Sequence, residues 1–179
     1  AGTSINQLAT QANNPDATDR HFSNEVPSKG ITDQKSSGRC WLFTGLNVMR
    51  SQMIRQYGLG DFQFSQSYSF FYDQLEKSNL FLQAVIDNAK KPMSDQLNDW
   101  LFKNPLSDGG TFCGVIDVVS KYGLVPADVM PESYNANNTS RMANILSLKL
   151  REYGLTLRKL SAAGKKSTEL EKQKLQMLG

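Results

Sequence analysis

Cys40 stands where a glycine-containing turn passes into an apolar run, in "DQKSSGRCWLF" at residues 33–43. A cysteine thiol titrates at about 8.5 and attacks as the thiolate. At a helix N-terminus the unpaired amides and the macrodipole favour that anion, and Arg39 and Lys35 add positive charge nearby. Attack on a carbonyl also needs donors for the oxyanion that forms. Gln34, six residues upstream across the turn, can swing its amide back towards the thiol, with the Cys40 backbone N–H as second donor. The structural alternative is a half-buried packing cysteine, since free cysteines are among the most buried residue types.

A thiol nucleophile needs a base. The chain has one histidine, His21, nineteen residues before Cys40 in a polar segment, where it reads as an exposed loop residue. The base is therefore expected from outside this chain. Gly179 falls inside a charged helical pattern, so the sequence reads as a piece of a longer protein. Metal chemistry has less support: Cys40, Cys113 and His21 include no close ligand pair and fall one short of the usual zinc set. No metal or cofactor is expected, and Cys113 reads as a small apolar residue packed at the start of a helix.

The elements that must position these residues are helices. Residues 1–30 are a polar extension with turns at Asn13-Asn14-Pro15-Asp16 and Pro27-Ser28-Lys29-Gly30. A first helix starts at about Cys40, with Leu42, Leu46, Met49, Met53 and Tyr57 as its apolar stripe, and ends at Gly58 and Gly60. A second follows Ser65 as N-cap, with Tyr68, Phe71, Tyr72, Leu75 and Leu82 on one face. A short third is capped by Ser94. After the loop "NPLSDGGTFCG", Val115, Val118, Val119 and Tyr122 mark a fourth that Gly123 stops. A long fifth runs from Thr139 towards Leu160 on Leu146, Leu150, Tyr153, Leu157 and Leu160, weakened at Gly154 by about 1 kcal/mol. A sixth follows Ser167, with Leu170, Leu175 and Leu178. No convincing strand appears.

Composition agrees with a soluble globular chain: 39% hydrophobic and 21% charged over 179 residues. The longest apolar runs, such as "CWLF", fall far short of the roughly 20 residues that span a bilayer. A secretory signal is expected to be absent or already removed. Two cysteines make no disulfide framework, which favours a reducing compartment. Charge is uneven. Residues 1–150 carry thirteen Lys/Arg against fourteen Asp/Glu, and residues 151–179 carry seven against three. A basic end reads first as a solvated helix face and second as a surface for nucleic acid.

The run Ser37-Gly38-Arg39-Cys40-Trp41 resembles the nucleophile segment of papain-like cysteine peptidases. Two positions depart from it: Arg39 replaces a small residue, and Ser37 replaces the family's first cysteine. That cysteine pairs, in the family, with one just before an Asn-Gly-Gly element. The matching segment here is Ser107-Asp108-Gly109-Gly110, so both partners are serine, as an intracellular branch would require. "ITDQKSSGRCWLFTGLNVMR", "FSQSYSFFYDQLEK", "DGGTFCGVIDVVSKYGLVP" and "MPESYNANNTSRMANILSLKLRE" resemble that branch, bleomycin hydrolase and bacterial aminopeptidase C, from residue 20 to about 175. The eukaryotic form is the nearer of the two.

The resemblance implies a papain-like α+β fold in the parent, of which this chain is mainly the helical half. Residues 1–30 would be an N-terminal extension, 31–130 the helical subdomain with the nucleophile, and 131–179 the start of a helical insertion. It also implies a cytoplasmic homohexamer with active sites facing an interior channel. The family removes N-terminal residues from peptides and hydrolyses the bleomycin amide and homocysteine thiolactone. Cys40 would be the nucleophile and Gln34 the oxyanion donor. Gly109 and Gly110 would pair with extended peptide substrate, and Trp41 would stand beside them in a supporting role. The catalytic His and Asn come from the family's C-terminal half, so this chain alone is expected to be inactive. The alternative is a nucleic-acid-binding or inactive interaction module, with weak DNA binding through the basic C-terminal helices.

Overall fold

The computed structural model describes residues 2–9, 19, 21–24 and 29–179. They form α1 (Ile5–Ala9), α2 (Cys40–Tyr57), α3 (Gln66–Asp87), α4 (Gln96–Lys103), α5 (Phe112–Tyr122), α6 (Tyr134–Asn137), α7 (Thr139–Ala162) and α8 (Ser167–Leu178). Among the described residues the only β pairing is two isolated bridges, Ser36 with Asn138 and Phe64 with Pro126. The expected turn at 13–16, and Pro27 and Ser28 of the next, lie outside the described residues. The short helices α1 and α6 were not expected. Each is held by one local serine cap, Ser4 for the Gln7 amide and Ser133 for the Ala136 amide.

Several boundaries follow from local chemistry. α2 begins at Cys40 and closes at Gly58, whose φ of 61° lets its N–H reach the Ile54 carbonyl. Ser65 Oγ caps α3 by accepting the Tyr68 N–H at 3.0 Å. The cap of α4 is Asp95 rather than Ser94. Its carboxylate accepts the Leu97 and Asn98 amides, and a negative charge there also complements the helix dipole.

Two apolar clusters share α3. Trp41, Leu42, Leu46, Phe64, Phe70 and Val115 form one. Phe81, Leu82, Val85, Ile86, Leu101, Leu150, Leu157 and Leu170 form the other, each large side chain contributing about 1.5–3 kcal/mol by leaving water. α3 packs against α2, α4, α5, α7 and α8, so its buried surface is wider than one stripe and includes Ser69, Asp73 and Gln74. The expected face is therefore displaced. Leu82 is buried and Tyr68, Tyr72 and Leu75 are half-buried, but Phe71 is exposed and Phe70 takes the core position. Tyr57 and Leu175, expected on apolar stripes, are also exposed. Gly154, read as a weak point, has a packing reason. A Cβ there would lie 3.0 Å from the Phe102 ring.

Basic residues of α7 fasten the ends of two other helices. Arg151 donates to the Phe102 and Lys103 carbonyls at the end of α4. Arg158 donates to the Asn88 and Lys91 carbonyls just beyond α3. Cations at helix C-termini are favoured by the dipole. No helix among the described residues is long and apolar enough to cross a membrane.

Candidate active site

The turn before α2 is built from its own side chains. Lys35 holds a φ of 54°, an uncommon conformation for a residue with a Cβ, and its N–H donates to Asp33 Oδ1 at 2.8 Å. Gln34 and Ser37 bond reciprocally: Gln34 Nε2 donates to the Ser37 carbonyl and Ser37 Oγ to the Gln34 carbonyl, both at 2.7 Å. A primary amide has two N–H donors, so one of Gln34's remains. Cys40 follows as the first residue of α2, exposed, and its own N–H makes no bond among the described residues.

Cys40 and Gln34 line one open cleft of about 400 Å³ with Ile31, Thr32, Asp33, Phe43, Thr44 and Asn47. Asn47 Nδ2 donates to Thr32 Oγ1 at 2.6 Å and holds that wall. The two cations expected near the thiol are both engaged elsewhere. Lys35 pairs with Asp33 at 2.9 Å, and its ammonium and its backbone N–H together hold the Asp33 carboxyl below its ordinary value. Arg39 is fully buried. It forks onto Glu132 at 2.8 and 3.1 Å, donates Nε–H to Ser37 Oγ at 2.9 Å, and lies against the Phe43 and Phe70 rings. A buried guanidinium needs such a partner, so its position beside Cys40 in sequence does not make it a free charge beside the thiol.

The paired-glycine loop meets this turn through Asp108. Its Oδ2 accepts the Gly38 N–H at 2.6 Å and the Thr139 hydroxyl at 2.7 Å, while its carbonyl accepts the Trp41 indole N–H at 2.9 Å. Burial alone would raise this carboxyl, but the Thr139 and Gly38 bonds and the charge of Lys77 bring it below its ordinary value. Ser37 and Ser107 each bond within their own segments; the carboxylate makes the link between them. On the other side, Lys77 Nζ donates to Asp73, to the Ser107 carbonyl and, at 2.6 Å, to the Gly109 carbonyl. Desolvation pushes the buried Asp73 carboxyl up, against the pull of Lys77 and Gln74.

The two glycines differ. Gly109 N–H bonds Ser107 Oγ and its carbonyl bonds Lys77, so both of its backbone groups have internal partners. Gly110 N–H and C=O have none among the described residues. Gly110 lies on the buried Trp41 indole, and a Cβ there would sit 2.6 Å from ring atoms. Trp41 thus supports the loop from below.

Cys113 does not pack as expected. It is exposed at the start of α5, because the buried face of that helix is set by Val115 and Val118. His21 is exposed, and its backbone N–H donates to Asp19. No group of three metal-ligating side chains occurs among the described residues. The sequence reading missed three residues around the turn: Asp108, Lys77 and Glu132. Asp108 had a local signal, its place before two glycines. Glu132 had none, since its partner Arg39 is 93 residues away.

A family model described as Peptidase C1-like family matches residues 2–179. The chain is 42% identical over 160 residues to aminopeptidase C of Lactobacillus delbrueckii subsp. lactis, covering 89% of this chain and 36% of that protein. It is 43% identical over 153 residues to bleomycin hydrolase of Gallus gallus, covering 83% and 34%. These identities do not favour the eukaryotic form. The crystal structure of PepW from Lactobacillus rhamnosis HN001 superposes with a TM-score of 0.84 at 39% identity, covering 89% of this chain and 36% of that one. The overlap bears out the expected fold class, with the helical part in this chain. The chain spans about a third of the length of these relatives.

Proposed function

The chain belongs to the Peptidase C1-like family, and on that footing we propose that the protein is a cysteine aminopeptidase of the bleomycin hydrolase type. One observation carries the reading: Cys40, at the start of α2, and Gln34 line the same open cleft. In this mechanism the Cys40 thiolate attacks the carbonyl carbon of the first peptide bond. The free N–H of Gln34 and the Cys40 amide take up the negative charge on the oxygen. The thiol proton passes to a histidine outside this chain and then to the departing amine. Water completes hydrolysis of the thioester and returns Cys40.

Gly110, with its unpaired backbone groups over Trp41, is the position that pairs with an extended substrate. Gly109 contributes by fixing the loop through Lys77. Residues 31–130 then constitute the nucleophile-bearing subdomain and 131–179 the beginning of a helical insertion. A cytoplasmic homohexamer is the assembly the resemblance implies. Weak DNA binding through the basic C-terminal helices is the second reading, and there Arg151 and Arg158 already donate to carbonyls.

The test is hydrolysis of an aminoacyl-coumarylamide by the full-length polypeptide, beside the same substrate with a blocked amine. Cys40→Ala should abolish turnover and leave the native mass unchanged. Turnover retained in that variant removes Cys40 from the chemistry, and equal cleavage of the blocked substrate removes the aminopeptidase assignment.

A further inference from the structure

We propose that Glu132 is a positioning residue for Cys40 and Gln34, acting through Arg39 to lock the nucleophile turn onto segment 131–139. The inference rests on the reading of Cys40 as nucleophile. The path is continuous. Glu132 takes both ends of the Arg39 guanidinium, Arg39 Nε–H holds Ser37 Oγ, and Ser37 and Gln34 fix one another. Arg39 is also the residue joined to Cys40, and its carbonyl accepts the Leu42 and Phe43 amides that start α2.

Glu132 is held in turn. Ser67 Oγ donates to its Oε1 at 2.8 Å, which sets the carboxylate against the first turn of α3. Two further bonds fasten the same turn to the same segment: Ser36 N–H to the Asn137 carbonyl, and Thr139 N–H to the Ser36 carbonyl. Arg39 is fully buried, and among the described residues Glu132 is its one ion-pair partner. Loss of that carboxylate leaves a buried cation whose remaining bonds are to neutral groups. The departure of Arg39 from the small residue of papain-like sequences thereby acquires a role. It makes the geometry of the nucleophile depend on the seating of the segment that opens the C-terminal helices.

The experiment compares Glu132→Ala, Glu132→Gln and the surface control Glu152→Ala in the full-length polypeptide. Amide hydrogen exchange is followed at residues 36–43 and, as an internal reference, at residues 150–160 of α7. For Glu132→Ala, exchange at 36–43 should rise at least about tenfold with the reference unchanged. kcat should fall at least about tenfold with KM within about twofold. Glu132→Gln, which keeps the shape and one acceptor, should lie between, and Glu152→Ala should match the parent. Exchange at 36–43 within about twofold of the parent overturns the proposal, as does a rise spread equally over both segments, or an unchanged kcat. If the parent hydrolyses no peptide yet the local rise appears, the proposed reaction fails while the lock stands.

Discussion

Asp108 accepts the backbone N–H of Gly38 at 2.6 Å, across 70 residues of chain. The bond joins the segment of Ser37 to that of Ser107, whose own hydroxyls do not meet. A Cβ on Gly38 would lie 2.4 Å from the same carboxylate, so the approach requires glycine on one side and a short acid on the other.

The pH dependence of that link has a definite sign. The folded-state pKa of Asp108 lies below its ordinary carboxylate value, because the Thr139 and Gly38 hydrogen bonds and the charge of Lys77 outweigh burial. Its contribution is fully present above that ordinary value and is lost as pH falls through the lower folded value. Asp108→Asn should cost about 1–2 kcal/mol at pH 7, a hydrogen bond to a charge discounted for partial exposure. The gap between parent and variant in urea unfolding should narrow as pH falls below that ordinary carboxylate value. A gap that widens instead would show that the carboxylate does not stabilise the folded state.

Gln34→Ala should reduce kcat of the full-length enzyme by about 10²–10³-fold, the usual loss for one oxyanion donor. A change below about twofold would leave Gln34 with its turn-closing bond to Ser37 and no part in the reaction.

Gly110→Ala drives a methyl group into the Trp41 indole. Overpacking of this kind costs about 1–3 kcal/mol. Pairing it with Trp41→Phe should recover part of the loss, read as a favourable coupling in a double-mutant cycle of urea midpoints. Strict additivity would mean that the two residues do not press on one another.

Leu157 and Leu175 look alike in a periodicity diagram and differ in the fold. Leu157 is fully buried and Leu175 is 65% exposed. Leu157→Ala should therefore cost about 2–5 kcal/mol, against at most about 0.5 kcal/mol for Leu175→Ala. Thermal unfolding of the two variants side by side measures the contrast, and equal shifts would contradict the placement of α8.

The legible parts of this molecule are those decided within a few residues. The start of α2 at Cys40, the Ser65 cap and the Gly58 stop depend on neighbours and could be read directly. Asp95 displaced Ser94 as a cap by one position because a carboxylate satisfies two amides there. The misplaced face of α3 arose because apolar spacing ignores buried polar residues, and Gln74 is buried to hold the Ser107 carbonyl. Arg39 read as a free cation beside a thiol. Only contact with Glu132, far along the chain, makes it a buried strut.

α3 gives Phe70 to one apolar cluster and Phe81, Leu82, Val85 and Ile86 to the other. Its 22 residues, about 33 Å of helix, thus form a spine common to both. Neither cluster can melt without stripping a face of the same rod, so denaturation should proceed as one cooperative transition with coincident spectroscopic probes. Damage to the α7–α8 side then travels along that spine to the helix end nearest the nucleophile turn, giving remote substitutions a route to the cleft through shared stability.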